Sequence, residues 1–193
     1  MSLRKHLTRE NILTVPNLLT LVRLLLIPVM AKDILDSRAE SLSSAFLFFG
    51  IWLSDFLDGF IARHFNCISD LGKILDPLAD KIFQIVTAFC LYRVDHLPLW
   101  VVLFLLVKDL ILIIGSALMF GRDIVVQAHW YGKVATVLFA LAFGSVFVLP
   151  DAQSIYTMLL LYASVFMGGL AFFAYLHSFF ETLRSGRLKQ GAK

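Results

Sequence analysis

Four aspartates stand at spacings that suit shared chemistry: Asp55 and Asp58 are three residues apart, Asp76 and Asp80 four apart. On a helix, each spacing puts both carboxylates on one face. Carboxylates are rare beside long apolar segments, because taking a charge out of water is expensive. Four converging acids would repel one another unless cations balanced them. Oxygen-only ligation suits Mg²⁺, Mn²⁺ or Ca²⁺ better than zinc. Gly59 follows Asp58 directly and lets a ligand approach the backbone. Ala62, one turn from Asp58, keeps that wall small, and Arg63 offers a planar fork to phosphate. Together these residues suit a pyrophosphate held by metal and guanidinium at a lipid surface. Taken singly, Asp58-Gly59 would pass for a turn, and Asp76-Pro77 for a helix start with aspartate as N-cap.

The elements that must carry these acids are apolar. The chain has 193 residues and is 59% hydrophobic, with 18 phenylalanines and 16% charged residues. Its mean hydropathy is +0.82. A soluble domain would be roughly 45–50% apolar. The composition predicts an all-α, polytopic membrane protein forming a single domain over 1–193, with a short cytoplasmic N-terminal segment over about 1–16. Crossing the hydrocarbon takes about 20 helical residues. Six transmembrane helices are predicted, over about 17–36, 42–63, 73–94, 97–120, 133–150 and 154–181. Gly168-Gly169 reads as a close-packing point between helices. Lys and Arg gather on one side of this map, from Arg4, Lys5 and Arg9 through Arg63, Lys73, Arg122 and Lys133 to Arg184, Arg187 and Lys189. That bias puts both termini and the four aspartates in the cytoplasm.

The net charge of +3 fits contact with anionic lipid, and no basic stripe interleaved with aromatics points to nucleic acid. Cys67 and Cys90 show neither disulfide nor zinc spacing. The polar, basic start of the chain has no cleavage signal for secretion.

The run D-x2-D-G-x2-A-R-x8-G-x3-D-x3-D fits without a gap as Asp55, Asp58, Gly59, Ala62, Arg63, Gly72, Asp76 and Asp80. It resembles the signature of the CDP-alcohol phosphotransferases, which are six-helix membrane enzymes, usually homodimeric. The resemblance implies that Asp55, Asp58, Asp76 and Asp80 hold one or two Mg²⁺ or Mn²⁺ ions on the pyrophosphate of a CDP-linked donor. It implies that Asp80 is also the general base toward the acceptor hydroxyl, and that Gly59, Ala62, Arg63 and Gly72 line the CDP site. The implied reaction attacks the phosphorus carrying the lipid alcohol and releases CMP.

The start of helix one, Pro16-Asn17-Leu18-Leu19-Thr20-Leu21-Val22-Arg23, resembles the phosphatidylglycerophosphate synthase and cardiolipin synthase branches. Asn17 and Thr20 are expected at the donor. Asn17 would alternatively serve as a helix N-cap. Trp130-Tyr131-Gly132-Lys133-Val134-Ala135-Thr136 and Leu71 to Lys81 resemble the phosphatidylglycerophosphate synthase branch. That likeness implies CDP-diacylglycerol as donor and glycerol 3-phosphate as acceptor, its phosphate met by Arg23, Lys108, Arg122 and Lys133. Lys108-Asp109 departs from the Arg-Glu pair expected there, and would alternatively serve helix–helix pairing of charges within the bundle. The alternatives are a different acceptor (phosphatidylglycerol for a cardiolipin synthase, inositol phosphate for a phosphatidylinositol-phosphate synthase) or an ion-coupled transporter. Short loops and the lack of a transit peptide favour a bacterial plasma membrane.

Overall fold

A computed structural model describes residues 15–64, 72–119, 130–149 and 154–190. Among the described residues there are six helices and no strand. They are α1 (Val15–Ser37), α2 (Leu42–His64), α3 (Gly72–Arg93), α4 (Leu99–Met119), α5 (Trp130–Val148) and α6 (Ile155–Gln190). The all-α expectation holds, and the boundaries move by a few residues except at α6. That helix continues well past the predicted end at 181, reaching about 54 Å at 1.5 Å per residue.

Among the described residues, two helical stretches, Trp130–Val148 and Ile155–Phe179, are long and apolar enough to cross a membrane. Other helices expose large apolar side chains, such as Leu25 and Phe46 at about three-quarters of their area, and Leu110 and Val107 at over half. Water penalises so much exposed apolar surface, whereas lipid does not. These faces are consistent with a bilayer as solvent.

The chain forms two compact units: residues 1–98 with 146–150, and residues 99–145 with 151–193. In the first, α1 packs on both α2 and α3. Contacts climb α1 and α3 together, from Thr20 to Asp76, Arg23 to Asp80 and Cys90 Sγ to the Ala31 carbonyl, on to Arg38 with Asp95 just past the two helix ends. The sequence offset stays between 56 and 59 throughout, so α1 and α3 run in the same direction in fixed register. Helix α2 makes the return crossing and stacks Phe48 on Phe83 of α3, with ring centroids 5.3 Å apart. Ile27, Met30, Ile34, Ile51, Ala88 and Leu91 of these helices are buried.

Matched ends secure this register. At the end of α1, Arg38 and Ala39 adopt positive φ, and Ala39 N–H reaches back to the Ile34 carbonyl at 3.0 Å. At the end of α3, Asp95 adopts positive φ, and His96 N–H reaches the Leu91 carbonyl at 2.9 Å. Both are Schellman-type closures that satisfy carbonyls at a helix end. The entry into α2 is tied down by Asp33, whose carboxylate accepts from Ser43 Oγ and Ser44 Oγ. Ser41 caps α2 by accepting from Ser43 N–H.

In the second unit, α4 packs on α6. Gly168 lets Phe139 and Phe104 close in: a Cβ there would meet their rings at 3.4 and 3.5 Å. The expected close packing therefore falls on Gly168, while Gly169 has open space around it. An unforeseen tighter point is Gly115 of α4, where a Cβ would lie 2.7 Å from the Tyr175 hydroxyl oxygen of α6. Gly115→Ala is therefore expected to destabilise the protein by about 1–3 kcal/mol through overpacking. Adding Tyr175→Phe removes the clashing oxygen and should recover part of that loss. Thermal unfolding in detergent checks this; an equal loss in both backgrounds would place the clash elsewhere.

Candidate active site

Helices α2 and α3 carry the acidic motif, with Asp55, Asp58, Gly59, Ala62 and Arg63 in the last three turns of α2. Gly72 begins α3, and Asp76 and Asp80 follow in its second and third turns. The side chains of Asp55, Asp58, Ala62 and Arg63, and that of Asn17 in α1, lie outside the described residues, as does Arg122 entirely. Asn17 sits two residues inside α1, past the N-cap position.

Asp76 and Pro77 do not start a helix. Because α3 begins at Gly72, both lie inside it. Pro77 has no N–H to donate to the carbonyl four residues back, a lack that costs nothing in a first turn but falls within the helix here. The aspartate is therefore not an N-cap, and its carboxylate is turned to other use. Thr20 Oγ1 of α1 donates to Asp76 Oδ1 at 2.6 Å. One turn further along both helices, Arg23 Nη1 donates to Asp80 Oδ1 at 3.2 Å.

The two rungs differ electrically. Thr20 is fully buried and neutral, so it brings no countercharge to Asp76. Arg23 is also buried, at 1% exposure, and sets a cation against Asp80, whose side chain is 42% exposed. Asp80 is thus anchored by Arg23 and remains part-exposed. The sequence predicts Thr20 at the donor and Arg23 at the acceptor phosphate; the structure places each against a motif carboxylate. A signal was present, since residues 20 and 23 are three apart and 76 and 80 four apart, so each pair shares a helix face. Which face met which required the α1–α3 register.

Lys108 and Lys133, also expected at the acceptor phosphate, lie in the second unit. Lys108 Nζ donates to Asp109 Oδ1, and both residues are buried. Lys108 also borders an apolar pocket of ≈ 300 Å³ with Trp100, Leu103, Phe104, Val107 and Phe172. The pair joins adjacent residues of one helix, not charges of two helices as the alternative expects. Lys133, in the first turn of α5, is exposed. It follows Trp130 and Tyr131, whose rings pack with centroids 4.2 Å apart.

The donor chemistry suits a hard divalent cation, because Asp76 and Asp80 offer only oxygen and sit one turn apart on one face. Among the described residues, no three His, Cys, Asp or Glu side chains gather as a metal site. The expected set also needs Asp55 and Asp58.

Among the described residues the chain is all-helical, with apolar faces suited to lipid and an acidic motif spread over two helices. The chain is a member of the CDP-alcohol phosphatidyltransferase family, whose profile matches residues 13–172. It is 38% identical over 139 residues to the CDP-diacylglycerol–glycerol-3-phosphate 3-phosphatidyltransferase of Aquifex aeolicus, covering 71% of this chain and 77% of that one. It is 31% identical over 134 residues to the Bacillus subtilis protein of the same name, covering 63% and 69%. It is also 34% identical over 139 residues to the cardiolipin synthase (CMP-forming) of Streptomyces coelicolor, covering 69% and 65%.

Proposed function

We propose that this protein transfers the phosphatidyl group of CDP-diacylglycerol to glycerol 3-phosphate, giving phosphatidylglycerophosphate and CMP. The observation that carries the reading is the intact eight-position acidic motif, two of whose carboxylates α1 holds in place. The names of the Aquifex aeolicus and Bacillus subtilis relatives support glycerol 3-phosphate as acceptor.

In this reading, Asp80 accepts the proton of the acceptor hydroxyl. That oxygen bonds to the phosphorus carrying diacylglycerol, the bond from this phosphorus to the bridging oxygen breaks, and CMP leaves. A carboxylate within hydrogen-bond reach of the hydroxyl suffices for the proton step. A Mg²⁺ or Mn²⁺ ion held by Asp55, Asp58, Asp76 and Asp80 would neutralise charge on the pyrophosphate and orient the donor. Gly59, Ala62, Arg63, Gly72 and Asn17 are assigned to the CDP moiety. Arg122 and Lys133 are assigned to the acceptor phosphate, while Arg23 and Lys108 serve through the carboxylates they hold. The enzyme is read as one catalytic domain of six spans with both termini cytoplasmic, working as a homodimer in a bacterial plasma membrane.

The Streptomyces coelicolor relative favours a second reading, in which phosphatidylglycerol is the acceptor and cardiolipin the product. Membership of the family leaves the transporter alternative without support.

The test is CMP release by purified protein with CDP-diacylglycerol and Mg²⁺ across glycerol 3-phosphate, phosphatidylglycerol and inositol phosphate. Release is expected with glycerol 3-phosphate, to stop with EDTA and to return with Mg²⁺ or Mn²⁺. Release with phosphatidylglycerol alone would replace this reading with the second. Turnover that survives EDTA would remove the metal from it.

A further inference from the structure

We infer that Thr20 is a positioning residue for the divalent cation, acting through Asp76 rather than on the CDP donor. The inference rests on the reading of Asp76 as a metal ligand and adds a residue of a different helix to that site.

Three observations carry it. Thr20 has no exposed area, so its hydroxyl is not presented to a solvent-borne ligand. Its oxygen lies 2.6 Å from Asp76 Oδ1, the distance of a hydroxyl donating to a charged carboxylate. Its neighbour on the same face of α1, Arg23, makes the corresponding contact with Asp80. The two rungs thus set both carboxylates of α3 from a single face of α1.

The chemistry of the two donors separates what they do. A hydroxyl fixes the rotation of the Asp76 carboxylate without cancelling its charge, so the full attraction for a cation remains. A guanidinium partly balances Asp80 and repels a cation placed beside it. Of these two ligands, Asp76 therefore has the stronger hold on a divalent ion, and Thr20 holds it ready. Partners that orient ligating carboxylates commonly change metal affinity about 10–100-fold when removed.

The test uses the full chain in detergent, with Mn²⁺ alone as probe. Binding is followed by the loss of the free-ion electron paramagnetic resonance signal, and the metal-free melting temperature is recorded beside it. Thr20→Val removes the hydroxyl at nearly constant shape, and Thr20→Ser keeps the hydroxyl and drops the methyl. Valine is expected to weaken Mn²⁺ binding about tenfold or more, with serine within about threefold of the parent. Thr20→Ala replaces valine in the comparison if the valine chain does not fold. The inference is overturned if valine binds Mn²⁺ like the parent, or if serine loses as much as valine. It is equally overturned if the melting temperature falls while affinity is unchanged, because Thr20 then only packs. A parent protein that binds no Mn²⁺ would instead remove Asp76 from the metal site, while one that binds Mn²⁺ but releases no CMP would overturn the proposed reaction alone.

Discussion

Asp80→Asn is expected to lower turnover by about 10²–10⁴-fold, the usual contribution of a positioned general base. Asparagine is the informative change because its side-chain oxygen can still accept from Arg23, which donates to Asp80 Oδ1 at 3.2 Å. The α1–α3 register then survives, and the loss falls on proton transfer. With Asp55, Asp58 and Asp76 intact, the KM for CDP-diacylglycerol should change far less than kcat, the pattern of an interaction needed only in the transition state. A steady-state comparison of CMP release separates the two parameters. Near-normal kcat would refute the base assignment, whereas a large rise in donor KM with kcat preserved would make Asp80 chiefly a donor-holding residue.

The placement of Arg23 explains why this carboxylate is the exposed member of its pair. Arg23 is buried within an apolar helix, where a cation survives only with partners that balance it. Asp80 provides one such partner and keeps 42% of its side chain open. The structural need of the helix and the chemical need of the site are met by the same contact.

Much of this arrangement was legible in the residues. Hydropathy marks six helices because a long apolar run is stable in few settings besides lipid, and the motif spacing marks the acids because helical periodicity converts spacing into a shared face. What spacing does not encode is which faces meet. Thr20 and Arg23 look alike as polar positions near a ligand; only the parallel α1–α3 register turns them onto Asp76 and Asp80. Asp76-Pro77 shows a local signal outweighed by its surroundings, since the helix expected from 73 does enclose it. The pair has the chemistry of a helix start, but Gly72 to Leu75 already form the preceding turn. The Asp33 knot with Ser43 and Ser44 was equally hidden, because serines near a helix start read as ordinary caps.

The other large effect is expected at the buried pair of α4. Lys108 and Asp109 are adjacent in sequence, so their side chains leave the helix in different directions, yet Lys108 folds back to donate to Asp109. Asp109 is 1% exposed and Lys108 9%. Asp109→Ala removes one partner of a buried ion pair, a change that costs about 3–5 kcal/mol. Replacing both charges, as Lys108→Met with Asp109→Leu, avoids stranding either and should restore most of the stability. Thermal unfolding of the single and double variants in detergent measures that ordering, and equal losses would show that the two charges do not depend on each other. The double variant also decides what the pair is for. With the Lys108 amine engaged by Asp109, its KM for glycerol 3-phosphate should stay within about threefold of the parent, whereas a rise beyond about tenfold at unchanged kcat would mean that lost binding energy belonged to the acceptor. In that event the pair would be an acceptor site that holds its lysine in reserve, and the substitution of Lys-Asp for Arg-Glu would be a variation in recognition rather than a support of the fold.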